Sequence, residues 1–440
     1  MARTSSLCER PLYHPPRRLV EWVNPTGAPK VHSLIDKVYH PTNLYMAWQS
    51  VRANAGSGGV DQVSWLQFEA DLEANLAELH ASLREETFEP LPVRRVYIPK
   101  AGSAKLRPLG IPAIRDRVVQ QALLQRLEPI FAPDWDEASF GYRRGRSTKD
   151  ALAKVWRELR AGAEWIVDAD LSDFFGTVDH DKLLLLLNRR IADGRVLHLV
   201  RQFLTAGYQE HEQWHPNKRG TPQGGVVSPL LSNLLLTPFD REMRRRGYHL
   251  TRYADDWVVT CRTRQEAERV LREAERVLTT LGVTLNREKT RIVHACQGFE
   301  FLGFKIKRGE RPLHLPSSKI TSGATSYSLY AYPTDKSVNR FRERIRALTK
   351  RAAPMTTAEL IEELNPLIRG WGEYYKKASV RKLFYRLDRW IERRIWSHRY
   401  KRWRNAGWKQ LPTGVLREDY GLVSLIRLIP SLNPSPRKRR

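Results

Sequence analysis

The sequence predicts an α+β protein in which strands and helices are concentrated in different parts of the chain. Strand-like patterns occur mainly between residues 93 and 307, whereas apolar residues at helical spacing predominate before residue 83 and after residue 333. The chain has 440 residues with 41% hydrophobic content, which is typical of a globular protein but too long for one simple core. We therefore expect two to four domains.

The first part of the chain is predicted to be mostly helical. Residues 1–35 are polar and basic and are expected to form an extension. Residues 34–83 have a helical pattern that the Gly-rich turn 54–64 interrupts. VRRVYIPK at 93–100 predicts a strand, and the apolar stripe of residues 114–131 predicts a helix with one buried face.

The segment EWIVDADLSDFF at 164–175 alternates in the manner of a strand. A strand with carboxylates on one face has a core face and a face that is available for chemistry. The two predicted faces carry Trp165, Val167, Ala169 and Leu171 on one side, and Ile166, Asp168 and Asp170 on the other.

The segment RYADDWVV at 252–259 places two carboxylates inside a β-like sequence. Asp is common in surface turns, so a turn without further function is one interpretation of Asp255 and Asp256. The other interpretation is a hairpin whose tip, together with Asp170, holds metal ions. Carboxylates are ligands for magnesium, and clustered aspartates repel one another unless a cation lies between them.

The remaining strands and helices are predicted from 285 onwards. Residues 285–307 resemble two short strands around a turn. From residue 333 the chain consists of long helical segments in which Trp and Tyr alternate with Arg and Lys.

The charge of the chain indicates a polyanionic partner. There are 75 Lys and Arg against 48 Asp and Glu, which gives a net charge of +27. Such an excess indicates nucleic acid, although an anionic membrane surface or a solvated basic face is also compatible with it. The 13 Trp and 16 Tyr favour nucleic acid, because aromatic rings among basic residues can stack on bases.

Cysteine and apolar content point to the cytoplasm. The three cysteines, Cys8, Cys261 and Cys296, form no CxxC pair, which argues against a disulfide framework and a structural zinc site. No apolar run approaches 18 residues, and residues 1–18 lack the apolar core of a secretion signal. We expect a cytoplasmic protein without a membrane partner.

Several motifs occur in the order found in one family. They are VRANAGSGGVDQVS, IPKAGSAKLRPLGIPAIRDRVVQ, FGYRRGRSTKDAL, DADLSDFFGTVDH, GTPQGGVVSPLLSNLLL, YADD, LNREKTRIV, FLGF and RGWGEYYKKAS. Over roughly residues 34–410 the chain resembles the bacterial group II intron reverse transcriptases. The resemblance implies a right-hand polymerase with fingers, a palm built on an antiparallel sheet with packed helices, and an α-helical thumb.

The resemblance also implies domain bounds. Fingers and palm are expected over 36–310, a linker over 311–332 and a helical thumb, or maturase domain, over 333–405. A short basic tail that binds DNA or RNA is expected over 406–440, and the absence of CxxC pairs suggests the type that lacks an endonuclease domain.

The resemblance assigns catalysis to Asp170, Asp255 and Asp256, with two Mg²⁺ ions as cofactors and Mn²⁺ as an expected substitute. Asp168 and Asp173 are rivals for the first position. Leu171 would offer a metal only its backbone carbonyl. These aspartates match the family's motif at this spacing, and paired divalent ions suit nucleotidyl transfer.

Deoxynucleotide contacts are implied for a second group of residues. Lys100 and Arg107 would grip the triphosphate, with Lys105 as a nearby alternative, unless this segment is simply a solvated loop. Phe175 would exclude a ribose 2′-hydroxyl, although Phe174 and Phe175 could both be core residues; strand alternation predicts that only one of them is. Gln223 would contact the nucleotide or template, and Lys289 would neutralise or protonate the pyrophosphate unless it is a simple turn lysine.

Template, primer and RNA contacts are expected at basic, aromatic and glycine positions. Ordinary core packing is an alternative for Trp371 and Tyr374. The predicted positions are Arg143, Arg144, Gly224, Arg369, Trp371, Tyr374, Tyr375, Lys376, Arg381, Arg389 and Arg393.

The function implied is RNA-directed DNA synthesis combined with maturase activity in RNA splicing. The expected partners are structured intron RNA, an RNA template with a DNA primer, target DNA and deoxynucleoside triphosphates. Two alternatives stay open: an RNA-binding splicing cofactor in which polymerisation is incidental, and a domesticated reverse transcriptase in phage defence or DNA repair.

Overall fold

The structure, a computed structural model, describes residues 30–99, 106–310, 327–401 and 408–430. The chain divides into two compact units, of which the first ends at Ile292 and the second begins at Val293. The functional domain bounds predicted from the sequence stay a prediction.

The first unit contains eleven described helices and two sheets. Its helices are α1 Ile35–Val38, α2 Pro41–Ala53, α3 Trp65–Ala70, α4 Leu72–Arg84, α5 Ile114–Phe131, α6 Thr148–Arg160, α7 Phe174–Thr177, α8 His180–Asn188, α9 Gly194–Thr205, α10 Ser228–Arg245 and α11 Arg264–Thr280. Its strands are β1 Val93–Pro99, β2 Leu106–Ile111, β3 Trp165–Asp170, β4 Tyr208–Glu210, β5 Gln213–His215, β6 His249–Tyr253, β7 Asp256–Cys261 and β8 Arg291–His294, which crosses the boundary between the units.

Helix α5 confirms the helix predicted over residues 114–131. Its apolar stripe is fully buried at Val118, Ala122, Leu123 and Leu127. The Gly-rich stretch predicted to interrupt the early helices ends at Ser64, whose side chain accepts a hydrogen bond from the Gln67 amide at 3.2 Å and so caps α3.

The sheet that carries the acidic motifs has the strand order β6-β7-β3-β8. β3 and β6 both pair with β7 in antiparallel fashion. The predicted division of β3 into a core face and an open face was wrong, because Ile166 and Asp168 are buried as well as Val167 and Ala169. β3 is an interior strand, and packing covers both of its faces before the chain reaches Asp170.

The other sheet of the first unit has the order β2-β1-β4-β5. β1 and β2 form an antiparallel hairpin in which Ile98 pairs with Arg107. The residues between these strands lie outside the described part of the chain.

The second unit combines a three-stranded sheet with helices. Its elements are β9 Phe299–Phe301, β10 Phe304–Glu310, β11 Tyr327–Pro333, α12 Asp335–Leu348, α13 Thr357–Tyr375, α14 Arg381–Tyr400, α15 Thr413–Glu418 and α16 Leu425–Leu428. The sheet order is β11-β10-β9.

Two sequence expectations for this region need correction. The segment 285–307 contains parts of three strands, not two. Residues 327–332 belong to β11, which pairs with β10 along its whole length, so that part of the predicted linker is a sheet strand. The three long helices predicted beyond residue 333 are confirmed.

No helix within the described ranges is long and apolar enough to cross a membrane.

Candidate active site

The RYADDWVV segment forms the predicted hairpin. β6 ends at Tyr253 and β7 begins at Asp256, and these two residues pair across the hairpin. Ala254 and Asp255 make the turn, in which Ala254 has a left-handed backbone with φ of 59°. A non-glycine residue in this region stores backbone strain, which is a feature of functional turns.

The register of the sheet places Asp170 beside the hairpin. Asp170 pairs with Asp256 across β3 and β7, and Asp255 follows at the turn. The rival Asp168 pairs with Val258, two positions further from the turn, and its carboxylate is bonded to Arg291 at 3.1 Å. The other rival, Asp173, is exposed at the start of α7. Of the three candidates, only Asp170 faces the hairpin carboxylates.

Basic groups balance the charge at this point. The Lys289 ammonium forms an ion pair with Oδ2 of Asp170. Burial raises the pKa of Asp255, and the negative charge of Asp170 raises it further. The charges of Arg107 and Lys289 act in the opposite direction on that pKa. The three aspartates and the two cations therefore form one electrostatic group.

The carboxylate oxygens at this point are of the chemical type that binds a hard divalent cation. Carboxylate oxygens are the ligands that magnesium takes from proteins, and Asp170 and Asp256 face each other across neighbouring strands. Within the described ranges, however, no three His, Cys, Asp or Glu side chains stand in a ready metal-binding arrangement. The Lys289 ammonium supplies the positive charge on Asp170 in this structure.

Two residues predicted to contact the nucleotide lie together. Nε of Arg107 donates to Oε1 of Gln223 at 2.8 Å. The backbone reinforces this contact, because the Gly110 amide donates to the Gln223 carbonyl at 2.7 Å. Lys100 and its alternative Lys105 lie outside the described residues.

Leu171 continues from β3 and forms an isolated antiparallel bridge with Leu285. The Asn286 amide donates to the Asp170 carbonyl and the Ser172 amide donates to the Thr284 carbonyl, both at 2.9 Å. The Leu171 carbonyl takes part in neither bond, which is compatible with its predicted role.

The alternation argument for Phe174 and Phe175 was wrong. β3 ends at Asp170, and both rings belong to the helical turn α7, so strand alternation does not apply to them. Both are buried, and their ring centroids lie 5.3 Å apart. Phe175 is only 8% exposed, so little of its surface is available for the predicted contact with a sugar.

The structure gives different reasons for two of the predicted nucleic-acid contacts. A Cβ on Gly224 would collide with the Gly110 carbonyl, so this glycine is needed for packing within the protein. Arg143 donates to the Ser139 carbonyl at 2.9 Å and to the Asp136 carbonyl, which makes it part of the fold. Arg144 has a largely exposed side chain that pairs with Glu128 at 3.1 Å.

The aromatic residues predicted to bind RNA in the second unit all make packing contacts within the protein, with Tyr375 buried and Trp371 and Tyr374 half-buried. Tyr375 is buried and its hydroxyl contacts Oγ of Ser337 at 2.9 Å, so its ring cannot stack on a base. Trp371 stacks on Phe341 at 4.5 Å. The Tyr374 hydroxyl donates to the Leu302 carbonyl at 2.8 Å. These contacts agree with the core-packing alternative given for Trp371 and Tyr374, whose RNA contacts stay a prediction, and Tyr375 packs in the same region.

The basic residues predicted in the same region remain accessible. Lys376 pairs with Glu373 at 2.5 Å. The four arginines predicted to contact RNA here, Arg369, Arg381, Arg389 and Arg393, are all exposed.

Sequence reasoning missed the side chain that supports the hairpin. Arg252 is completely buried, and its guanidinium donates to Asp240 at 2.7 and 2.5 Å, to Asn233 at 3.2 Å, and to Ser139 and the Ala254 carbonyl at 2.9 Å. The last bond holds the strained residue of the turn. The signal available in the sequence was an arginine at the end of a strand-like segment, directly before the YADD motif.

Tyr142 was also missed, although it belongs to the quoted motif FGYRRGRS. Its side chain is 46% exposed and its backbone is left-handed with φ of 55°. The preceding Gly141 packs so closely on the hairpin that a Cβ there would collide with the Ala254 amide. Burial raises the pKa of Tyr142 and the charge of Asp255 raises it further, which places the phenol beside that carboxylate.

Comparison with known proteins gives matches to two family models. Residues 98–306 match the reverse transcriptase (RNA-dependent DNA polymerase) family, and residues 338–413 match the group II intron, maturase-specific domain. The first stretch contains the described hairpin.

Several curated proteins are similar along most of the chain. Protein YkfC of Escherichia coli (strain K12) is 34% identical over 333 residues, which cover 66% of this chain and 87% of that protein. The group II intron-encoded protein LtrA of Lactococcus lactis subsp. cremoris is 27% identical over 450 residues, covering 83% of this chain and 74% of that protein. An uncharacterized 91 kDa protein in the cob intron of Schizosaccharomyces pombe is 28% identical over 69% of this chain and 46% of its own length.

Reverse transcriptases generally use divalent metal ions, and domains of these two kinds bind RNA and other nucleic acids. The sheet that pairs Asp170 with Asp256, the two matching domain models and the similarity to YkfC agree. The chain belongs to the group II intron reverse transcriptases and maturases, and its enzymatic activity is RNA-directed DNA polymerisation.

Proposed function

We propose that the first unit copies an RNA template into DNA from a DNA primer, and that Asp170, Asp255 and Asp256 form its reaction centre with two magnesium ions. The observation that carries this proposal is the pairing of Asp170 with Asp256 next to the turn residue Asp255. Magnesium ions bound there would stabilise the charge that develops on the attacking and leaving oxygens. The carboxylates and the Leu171 carbonyl are the groups that would hold them.

The protein's own cations have separate tasks in this proposal. Arg107, held by Gln223 at 2.8 Å, is placed to bind triphosphate oxygens with a guanidinium whose orientation is fixed. Lys289 holds a proton at Nζ beside Asp170 and can pass it to the pyrophosphate oxygen when the bond to the α-phosphorus breaks. Phe175 would limit the space next to the 2′ carbon of the incoming sugar.

The second unit is proposed to bind intron RNA and to assist splicing. Its exposed arginines, Arg369, Arg381, Arg389 and Arg393, provide charge for phosphate contacts. Target DNA, structured intron RNA and the template-primer hybrid are the proposed partners.

Primer extension on an RNA template with a labelled DNA primer and magnesium tests the reaction centre. We expect Asp170→Asn and Asp255→Asn to abolish product formation. Asp173→Asn is the matched control, because Asp173 is exposed at the start of α7 and Asn tolerates its left-handed backbone, with φ of 39°.

The three variants carry the same charge change and differ in position. Circular dichroism and thermal unfolding establish that each is folded. Full activity in Asp170→Asn, or complete loss in Asp173→Asn, would contradict the assignment of Asp170.

A separate assay tests the link between the two activities. If polymerisation and RNA binding are carried by different units, Asp255→Asn should leave the affinity for intron RNA unchanged in a filter-binding assay. Loss of RNA binding together with polymerisation would mean that Asp255 supports the fold.

A further inference from the structure

A groove of about 960 Å³ lies in the second unit between α14 and the segment that follows residue 408. It is lined by side chains from successive turns of α14 and by Trp408 and Arg417 from beyond the helix. None of the residues that the family resemblance assigns to the reaction centre lies there.

The acidic residues of the groove are already engaged within the protein. The Asp388 carboxylate accepts bonds from the Ser424 hydroxyl at 2.7 Å and from the Leu425 amide at 2.9 Å. Glu392 accepts a bond from Arg417 at 2.8 Å. Both acids are buried, so they form a neutralised floor below the open space.

The rim of the groove carries excess positive charge. Among the described residues that line the groove, five are arginines, one of them Arg342 of α12, and two are acids. Arg386, Arg389 and Arg393 are exposed on the same helix, at spacings that place them on neighbouring turns. A chain of phosphates laid along α14 would meet a guanidinium at each turn.

Two aromatic rings are exposed in the same groove. Tyr385 is 55% exposed and Trp408 is 54% exposed. The Arg389 guanidinium lies 5.7 Å from the centroid of the Tyr385 ring and donates to its hydroxyl at 3.1 Å, which fixes the position of the ring. Trp396, by contrast, is buried and donates to the Leu411 carbonyl at 2.9 Å. Of these three rings, Trp396 is therefore a packing residue, whereas Tyr385 and Trp408 remain accessible to a ligand.

We infer that this groove binds a short unpaired stretch of nucleic acid, with bases stacked on Tyr385 and Trp408 and phosphates held by Arg386 and Arg393. Guanidinium groups alone would also suit an acidic peptide, but two exposed rings beside them suit flat bases better. This binding site is independent of the reaction centre, and it deepens the RNA binding proposed above by naming unpaired bases as the ligand.

The test measures the affinity of the full-length protein by fluorescence anisotropy. The probes are labelled 12-nucleotide uridine RNA, 12-nucleotide thymidine DNA, and an abasic 12-mer with the same number of phosphates. We expect the double variant Y385A/W408A to bind the RNA roughly 25-fold to 10⁴-fold more weakly, because one stacked base is worth about 5-fold to 150-fold and two rings are removed. Binding of the abasic strand should stay within about twofold of the wild-type value.

Two control variants separate stacking from folding. Trp214, 58% exposed on β5 in the first unit, is a matched tryptophan outside the groove, and Trp214→Ala should leave RNA affinity unchanged. The aromatic replacements Y385F/W408F should restore most of the lost affinity. In Arg386→Gln, the slope of log affinity against log salt concentration should become shallower by about 0.7, the value for one phosphate contact on a single strand. That change would support the proposed contact between Arg386 and a phosphate.

The proposal is overturned if Y385A/W408A binds the RNA as well as the wild type does, or if the abasic strand loses as much affinity as the RNA. Equal losses for RNA and DNA would assign the groove to single strands in general, whereas a loss for RNA alone would assign it to RNA. Primer extension by the wild-type protein is a separate readout: its failure would contradict the proposed reaction centre and leave the groove result intact.

Discussion

Two ion pairs each have one member on a strand of the same sheet. They differ in burial and therefore in whether they contribute to the stability of the fold or to the reaction. Arg252 on β6 and Asp240 on α10 are both completely inaccessible, and every guanidinium N–H has an acceptor. Asp170 on β3 and Lys289, in the turn before β8, have side chains that are 29% and 49% exposed. The first pair is part of the framework, whereas the second can exchange partners with a ligand.

A rigid hairpin and a solvent-accessible ion pair therefore lie within one site. Arg252 holds the Ala254 carbonyl, so the position of Asp255 depends on a buried network. Asp170 is instead balanced by a single flexible ammonium that solvent reaches. We expect substitutions in the first pair to affect folding and substitutions in the second to affect reaction rate.

The largest effect is expected for Arg252→Met. This change leaves the Asp240 carboxylate buried without its partner, which costs about 3–5 kcal/mol of unfolding free energy. Urea unfolding followed by circular dichroism measures the loss. The double variant R252M/D240L is the control, because replacing a buried pair by apolar groups is often close to neutral.

The double variant also separates stability from positioning. It should recover most of the unfolding free energy but not the bond to the Ala254 carbonyl, so primer extension should remain slow. If the double variant is as active as the wild type, the bond from Arg252 does not position the turn.

Another buried carboxylate, Asp116 on α5, shows the effect of incomplete pairing. It is 1% exposed, accepts one bond from the Leu91 amide at 3.0 Å, and Oδ1 has no hydrogen-bond partner among the described residues. Burial raises its pKa from 3.8 to about 7, against the opposing charge of Arg115. Asp116 is therefore protonated in the folded protein over a range in which the unfolded chain is ionised.

The pH dependence of stability follows from this raised pKa. Below pH 3.8 both states are protonated, and between pH 3.8 and about 7 only the unfolded state loses the proton. Its contribution to stability is complete at low pH and is lost as the pH rises through about 7. We expect the unfolding free energy of the wild type to fall by on the order of 4 kcal/mol relative to Asp116→Asn across this window. Parallel pH profiles for the two proteins would contradict the raised pKa.

The sequence predicted the parts of the site that depend on local order. Alternation and motif order placed Asp170 at the end of a strand and Asp255 and Asp256 at a hairpin. Helix α5 was also predicted, because a single apolar stripe determines which face is buried. The pairing of Asp170 with Asp256 depends on which strands become neighbours, and no local pattern determines that.

The incorrect predictions have specific physical causes. The alternation rule failed for Phe175 because the strand had already ended at Asp170. Tyr375 was assigned to RNA because aromatic residues among basic ones suggest stacking, but its ring is buried, and in a helix the same kind of ring serves equally well in the core. The partner of Arg252 lies on another element, so the sequence shows an unusual charge without showing what it binds.

The second ion pair is tested with Lys289→Gln. Because this pair is half-exposed, its loss should change the unfolding free energy by less than about 1 kcal/mol. The rate of single-nucleotide incorporation should fall by about 10²-fold if Lys289 supplies a proton to pyrophosphate. Lys289→Arg is the control, since a guanidinium keeps the charge but does not release a proton. Recovery of the wild-type rate by Arg would leave charge neutralisation as the role of Lys289.

The smallest effect is expected at Tyr142, which belongs to neither ion pair but depends on the rigid one. Arg252 fixes Ala254, Gly141 packs on Ala254, and Tyr142 follows with an exposed ring beside Asp255. An exposed aromatic ring at that position can pack against a base or sugar of the bound hybrid. We expect Tyr142→Ala to lower kcat/KM for nucleotide incorporation by about 10-fold, and Tyr142→Phe to lower it by less than about twofold.

The two Tyr142 variants assign the effect to the ring or to the hydroxyl, and Tyr142→Gly tests the backbone. The left-handed conformation at Tyr142 costs about 1 kcal/mol or more for a residue with a Cβ and nothing for glycine. The glycine variant should therefore be more stable than the alanine variant while being equally slow. If glycine restores activity that alanine loses, the backbone conformation, and not the ring, is what the rigid hairpin provides to the reaction.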